Sequence, residues 1–221
     1  RHRLGLQDFL DVEDVDAHAS DMTEAEPRRP AFVVEATRPE QVGELLRLAN
    51  ERGVPVTPKV TGQNVGGLAI PSEGGIVLDL RRLDAVEIDP VHRVAWVEPG
   101  VGWEKLKEEA AAHGLTLGFP LAPPESSVLA GLLLDGLTTR SLVDGSCADW
   151  IHGVVAYLAD GTRVVTGSAA VSGLPVSRGP LPDLTGLFVG WQGATGVVVR
   201  LALTLVPIPA HRRREICLLY T

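Results

Sequence analysis

The sequence predicts an α+β protein of two lobes: a small β-α-β lobe, then a larger, mainly antiparallel sheet flanked by helices. Three observations predict it. One helical repeat sits between two β-favouring runs near the start. After it come mostly short strands with hairpin signals. Long Gly/Pro-rich stretches separate the two patterns and recur later in the chain.

Phe32 to Glu35 is the first β-favouring run. Thr37 and Glu40 have capping-box spacing, and Pro39 falls in the first turn. Val42, Leu45, Leu46 and Ala49 then recur at helical spacing, with Gly53 as the stop. Val54 to Thr57 predicts the next strand, and a β-α-β unit favours parallel pairing. Ile76 to Leu80 predicts an apolar strand. Val86–Ile88 and Arg93–Val97 predict two short strands joined by a turn at Asp89-Pro90. Trp103, Leu106, Ala110 and Ala111 form one face of a helix that Gly114 ends. Ser126 to Leu134 predicts a short buried helix. Val154–Leu158 and Arg163–Thr166 flank Asp160-Gly161, a strong hairpin signal. Val197 to Val206 predicts a long strand, apolar on both faces. Residues 167–186 are a long Gly/Pro/Ser stretch, of a length usually reserved for functional or mobile loops.

The formal charge of the 221 residues is −8. Eight acids, against Arg1 and Arg3, lie in residues 1–27, which leaves 20 acids and 18 bases in the nearly neutral remainder. Nucleic-acid binding needs a basic stripe and is not expected. Residues 1–29 read as an acidic lead-in able to wrap onto the body. Glycine (24) and proline (16) together stand well above the roughly 12% that is ordinary, so the chain turns often. Cys147 and Cys217 cannot make a disulfide framework, and no Cys/His group has zinc spacing. A reducing cytoplasm is the expected location. No apolar run approaches the ~20 residues of a membrane span.

The segment most informative about chemistry is Pro58-Lys59-Val60-Thr61-Gly62-Gln63-Asn64-Val65-Gly66-Gly67, directly after a predicted strand. Glycines at 62, 66 and 67 let the backbone approach a ligand and turn several N–H groups inward. Thr61 and Asn64 add side-chain donors. Such a loop can hold a diphosphate without much positive charge. It lacks the glycine spacing of a Rossmann fingerprint and the Gly-Lys-Ser/Thr of a Walker motif. Taken alone, the loop reads more readily as an ordinary surface loop.

Further blocks give it a context. Val33 to Val42, Gly53 to Pro58, the loop Thr61 to Gly66, Gly74 to Leu80, Val97 to Val101 and Leu187 to Val198 occur in order. Together they resemble the flavoprotein superfamily with the p-cresol methylhydroxylase-type FAD-binding domain. Vanillyl-alcohol oxidase and the FAD subunits of glycolate oxidase and D-lactate dehydrogenase belong to it. The loop is more like that of the vanillyl-alcohol oxidase branch.

The resemblance implies a two-lobed FAD-binding fold. Residues 30–90 would form one FAD-binding subdomain and 91–210 the other. Residues 211–221 would begin a cap domain that the chain lacks, or form a tail. The implied cofactor residues are Pro58, Val60 to Gly67, Pro99, Gly100, Ser126, Ser127, Leu129, Ala130, Gly131, Gly145, Asp149, Gly193, Val197 and Val198. Ala130 stands where the family has a glycine. Ser127 reads equally as a helix N-cap, and Val197 also as core. Trp191 could stack near the cofactor but reads more readily as a core aromatic, and His152 reads as a structural histidine. No histidine lies in the phosphate loop, so noncovalent FAD is expected. The implied activity is hydride transfer to flavin from an alcohol carbon, most readily of a 2-hydroxy acid, with no catalytic residue assignable. The alternative is a non-catalytic flavin-binding module completed by a partner subunit. A cell-wall precursor reductase ranks below both.

Overall fold

The computed structural model describes residues 10–11, 14–118, 122–134 and 141–210. Its fold is α+β, with a parallel sheet and an antiparallel sheet sharing one helix between them. The first sheet has the order β1-β2-β4-β3. Its strands are β1 (Leu10–Asp11), β2 (Phe32–Glu35), β3 (Val56–Lys59) and β4 (Ile76–Asp79). β2 and β3 both run parallel to β4, and β1 pairs antiparallel to β2. The second sheet, of order β5-β6-β10-β8-β9, is antiparallel throughout. It comprises β5 (Val86–Asp89), β6 (Val94–Val97), β8 (Ile151–Tyr157), β9 (Arg163–Val165) and β10 (Val197–Thr204). A small ladder joins β7 (Leu115–Thr116) to β11 (Val206–Pro207).

Helix α1 (Pro39–Arg52) connects β2 to β3. It ends at Gly53, whose φ of 63° is the left-handed conformation glycine adopts without steric cost. Its start differs from the expected Thr37/Glu40 box. Gln41 Oε1 instead accepts from the N–H groups of Thr37 (2.8 Å) and Arg38 (3.0 Å). A buried amide at that position can reach both donors, whereas the carboxylate of Glu40 has water available. One face of α1 packs Val42, Leu45 and Leu46 with Val34, Ile76 and Leu78 of the parallel sheet. Val155, Tyr157, Val197 and Val199 of the antiparallel sheet complete the same cluster. The two lobes are therefore joined through apolar contact. Leu45 is fully buried here, and its truncation to alanine costs about 2–5 kcal/mol.

The opposite face of the antiparallel sheet carries the larger core. There Leu201 and Leu203 meet Trp103 and Leu106 of α2 (Trp103–Ala112) and Val128 and Leu132 of α3 (Val128–Leu133). β10 is thus apolar on both faces, as its sequence predicts. A register shift between Val198 and Arg200 moves the inward positions from even to odd numbers.

The β5–β6 hairpin keeps both strands in one sheet, so the change of sheet falls between Asp79 and Val86. A division at 90/91 would cut that hairpin. The stretch 167–186 holds a short helical turn at Ala169–Ser172. Residues 211–221, expected to be a tail or the start of a cap domain, lie outside the described residues.

The described part of the lead-in does lie on the body. His18 and Ala19 are buried. The Arg28 N–H returns to Ala19 O at 2.8 Å, which closes residues 19–28 into a strap. The Met22 N–H reaches Asn64 O at 3.1 Å.

Candidate functional site

A cleft of about 900 Å³ runs between the parallel sheet, α3 and the segment before β10. That volume is at the upper end of the roughly 300–1,000 Å³ usual for small-molecule sites. The loop 58–67 forms one wall, at the C-terminal end of β3. Ligands of open parallel sheets collect at such strand ends. Pro58, Val60, Thr61, Gly62, Gln63, Asn64 and Gly67 line the cleft. Val65 and Gly66, also expected there, do not, and Val65 is 84% exposed.

Glycine is favoured by the backbone at two loop positions. Gly62 has φ 71° and Gly67 φ 74°. A Cβ on Gly62 would also lie 2.8 Å from Lys59 Cε. Asn64 Oδ1 accepts from Gly66 N (2.6 Å) and Leu68 N (3.4 Å), so this oxygen shapes the loop rather than facing a ligand. Among the described residues, no hydrogen bond engages the backbone N–H of Thr61, Gly62 or Gln63. Gln63 Oε1 is buried without a partner. Free donors beside an open cleft are what an anionic group needs, and the orphaned acceptor calls for a donor on the ligand.

The second wall is the start of α3, through Ser126, Ser127, Leu129, Ala130 and Gly131. Its hydroxyls are already engaged. Ser126 Oγ donates to Pro123 O at 2.7 Å. Ser127 Oγ donates to Pro99 O at 2.5 Å and accepts from Ala130 N at 3.2 Å, so Ser127 is the N-cap of α3. Behind Gly131 lies Trp103, 3.3 Å from where a Cβ would be.

The third wall is Gly193, Val197 and Val198, with Trp191 and Gln192. Trp191 was expected in the core but is 58% exposed and borders the cleft. The turn that carries it, with Gln192 at φ 54° and Gly193 at φ 84°, points it away from the core.

Besides Val65 and Gly66, three further expected residues do not line the cleft. Gly100 belongs to packing, since a Cβ there would sit 2.1 Å from Arg81 O. Gly145 and Asp149 form a turn in which Asp149 Oδ2 accepts from Ser146 N at 2.8 Å. A Cβ on Gly145 would meet that same carboxylate oxygen. His152 is held by Thr204 Oγ1 at 3.1 Å, and burial lowers its pKa.

The cleft contains residues the sequence did not single out. Ala25, Glu26 and Arg28 of the strap border it, and Lys59 lies under the loop. A charge pattern gave no warning, because these residues sit in an acidic, weakly patterned segment or inside a strand. Among the described lining residues, the side chains that titrate are Glu26, Arg28 and Lys59.

A glycine loop of uncommitted N–H groups at the end of a parallel strand is an arrangement able to hold an anionic group. The chain matches the family model described as FAD binding domain over residues 30–167 and belongs to that family, whose cofactor is FAD. It is 32% identical over 196 residues to an FAD-linked oxidoreductase of Mycobacterium tuberculosis, covering 88% of this chain and 41% of that one. It is 31% identical over 177 residues to a D-lactate dehydrogenase of Archaeoglobus fulgidus, covering 79% and 38%. It is 29% identical over 213 residues to a glycolate oxidase subunit of Escherichia coli, covering 96% and 42%. The crystal structure of p-cresol methylhydroxylase with substrate bound superposes with a TM-score of 0.81 at 27% identity, over 96% of this chain and 42% of that one. The chain thus spans about two fifths of the relatives it matches.

Proposed function

We propose that this chain is the FAD-binding part of an oxidoreductase that moves a hydride from the alcohol carbon of a 2-hydroxy acid to flavin. The observation that carries the reading is the loop Thr61–Gln63, whose backbone N–H groups border the cleft with no partner among the described residues. They would hold the diphosphate. Gln63 would satisfy its orphaned Oε1 against a ligand donor. Leu129, Val197 and Val198 supply apolar surface and exclude water. When bound, FAD supplies hydride acceptance. The 2-hydroxy acid is favoured because D-lactate dehydrogenase and a glycolate oxidase subunit are among the relatives.

The described lining holds no histidine, cysteine or tyrosine. That supports noncovalent FAD. It also supports a substrate base supplied from outside the described residues, by further sequence or a partner subunit. A module that binds flavin and turns over only with its partner is the second reading. Cytoplasmic placement belongs to the same proposal. Among the described residues, no helix is long and apolar enough to cross a membrane.

The test is to add FAD to the purified chain, then D-lactate or glycolate. Uptake of FAD with bleaching of the flavin band supports the enzyme reading. Uptake with bleaching only after a partner subunit is added supports the module reading. A protein that takes up no FAD overturns both.

A further inference from the structure

We propose that Lys59 is a positioning residue of the dinucleotide site, a buried cation that ties the N-terminal strap to the phosphate loop and takes the diphosphate as its counter-charge. The inference rests on the FAD reading above.

Lys59 ends β3 and is only 7% exposed. Its Nζ donates to Ser20 O of the strap at 2.9 Å. It lies directly under the loop, because a Cβ on Gly62 would be 3.4 Å from Nζ. Among the described residues, no carboxylate comes within ion-pair distance of it. Asp79 and Asp21 supply negative potential at Lys59, but Asp79 is held by Arg81, with Nη2 to Oδ2 at 2.6 Å. Asp21 Oδ1 accepts from Thr23. His18 is the remaining titratable group of the cluster, 4.0 Å from Asp79. Burial pushes the Lys59 ammonium below its ordinary pKa, which is the sign of a charge short of compensation.

A buried cation without a close counter-ion is costly unless another charge approaches. The cleft side of Gly62 is where an anion would approach. The same ammonium fixes the strap carbonyl, and the strap's Met22 N–H fixes Asn64 O in the loop. Strap, lysine and loop therefore form one hydrogen-bonded unit. Whatever favours the ordered loop favours the ordered strap, and by linkage the reverse.

Lys59→Gln and Lys59→Arg in the full chain test this. FAD affinity is read by flavin fluorescence, and hydrogen exchange is followed at residues 19–28. Lys59→Gln is expected to weaken FAD at least about tenfold, the scale of losing one charge-assisted contact. Riboflavin, which lacks the diphosphate, is expected to bind both proteins alike. FAD is expected to slow exchange in the strap of the parent and not of Lys59→Gln, and Lys59→Arg is expected to restore most of the affinity. FAD affinity within twofold of the parent overturns the proposal, as does an equal loss for riboflavin. If Lys59→Gln does not fold, the parent alone decides. FAD must then protect residues 19–28 and bind more weakly as salt rises, and failure of either overturns the proposal. A parent that takes up no FAD overturns the underlying reading before any variant is made.

Discussion

The two principal walls of the cleft use similar polar residues in opposite ways. In the α3 wall, Ser126 and Ser127 spend their hydroxyls on Pro123, Pro99 and Ala130, inside the protein. In the loop wall, the N–H groups of Thr61, Gly62 and Gln63 have no partner among the described residues. The α3 wall is stable because its donors are used, and the loop wall can bind because its donors are not. A polar residue beside a cleft therefore says little about binding until its partners are counted.

The comparison makes measurable demands. The largest concerns the base of the α3 wall, where Gly100→Ala drives a Cβ to 2.1 Å from Arg81 O. It is expected to cost about 3 kcal/mol in denaturant unfolding through overpacking. An unchanged midpoint would show that this turn yields, and that the wall is less rigid than its hydrogen bonds suggest.

Next comes the loop. Gly62→Val combines a φ of 71° with a 2.8 Å approach to Lys59 Cε. FAD affinity is expected to fall about tenfold or more, while unfolding free energy changes by about 1–2 kcal/mol. A variant that binds FAD normally would remove the loop from the site.

A pH titration probes the cluster that supports the loop. Burial lowers the pKa of His18, and also that of His152, below the ordinary 6.5. The unfolded chain then binds more protons below that pH, so stability is expected to fall as pH drops below about 6.5 and to be flat above it. The slope is at most about 1.4 kcal/mol per pH unit for each histidine. Unfolding midpoints at pH 7.5, 6.5 and 5.5 check the sign, and a rise on acidification would contradict it.

The smallest effect separates the walls most cleanly. Ser127→Ala removes an N-cap and is expected to cost about 1 kcal/mol, with FAD affinity within about threefold. A large loss of affinity without loss of stability would make Ser127 a ligand contact and erase the contrast.

Much of the fold was legible because its signals are local. Pro39, the Val42–Leu45–Ala49 repeat and Gly53 mark α1 without reference to anything distant. Asp160-Gly161 marks the β8–β9 hairpin in the same way. The glycine loop was legible as a loop, and most of its residues do line the cleft. Lys59 and the strap residues Ala25, Glu26 and Arg28 were not, since nothing in their spacing says that they meet. Trp191 was misplaced because a lone aromatic carries no direction.

The sequence by itself determined the β-α-β start, the order of the longer strands and of α1 to α3, the backbone-rich loop and the family. The elements depend on propensities and spacings within some ten or twenty residues, and the family on several such blocks in order between Val33 and Val198. Only the tertiary structure decided which donors remain free, that Gly100 and Asp149 serve packing and turn, and that an acidic strap lies over a buried lysine. Those are questions of partners brought together by the shared packing of α1 between two sheets, and sequence distance does not encode them.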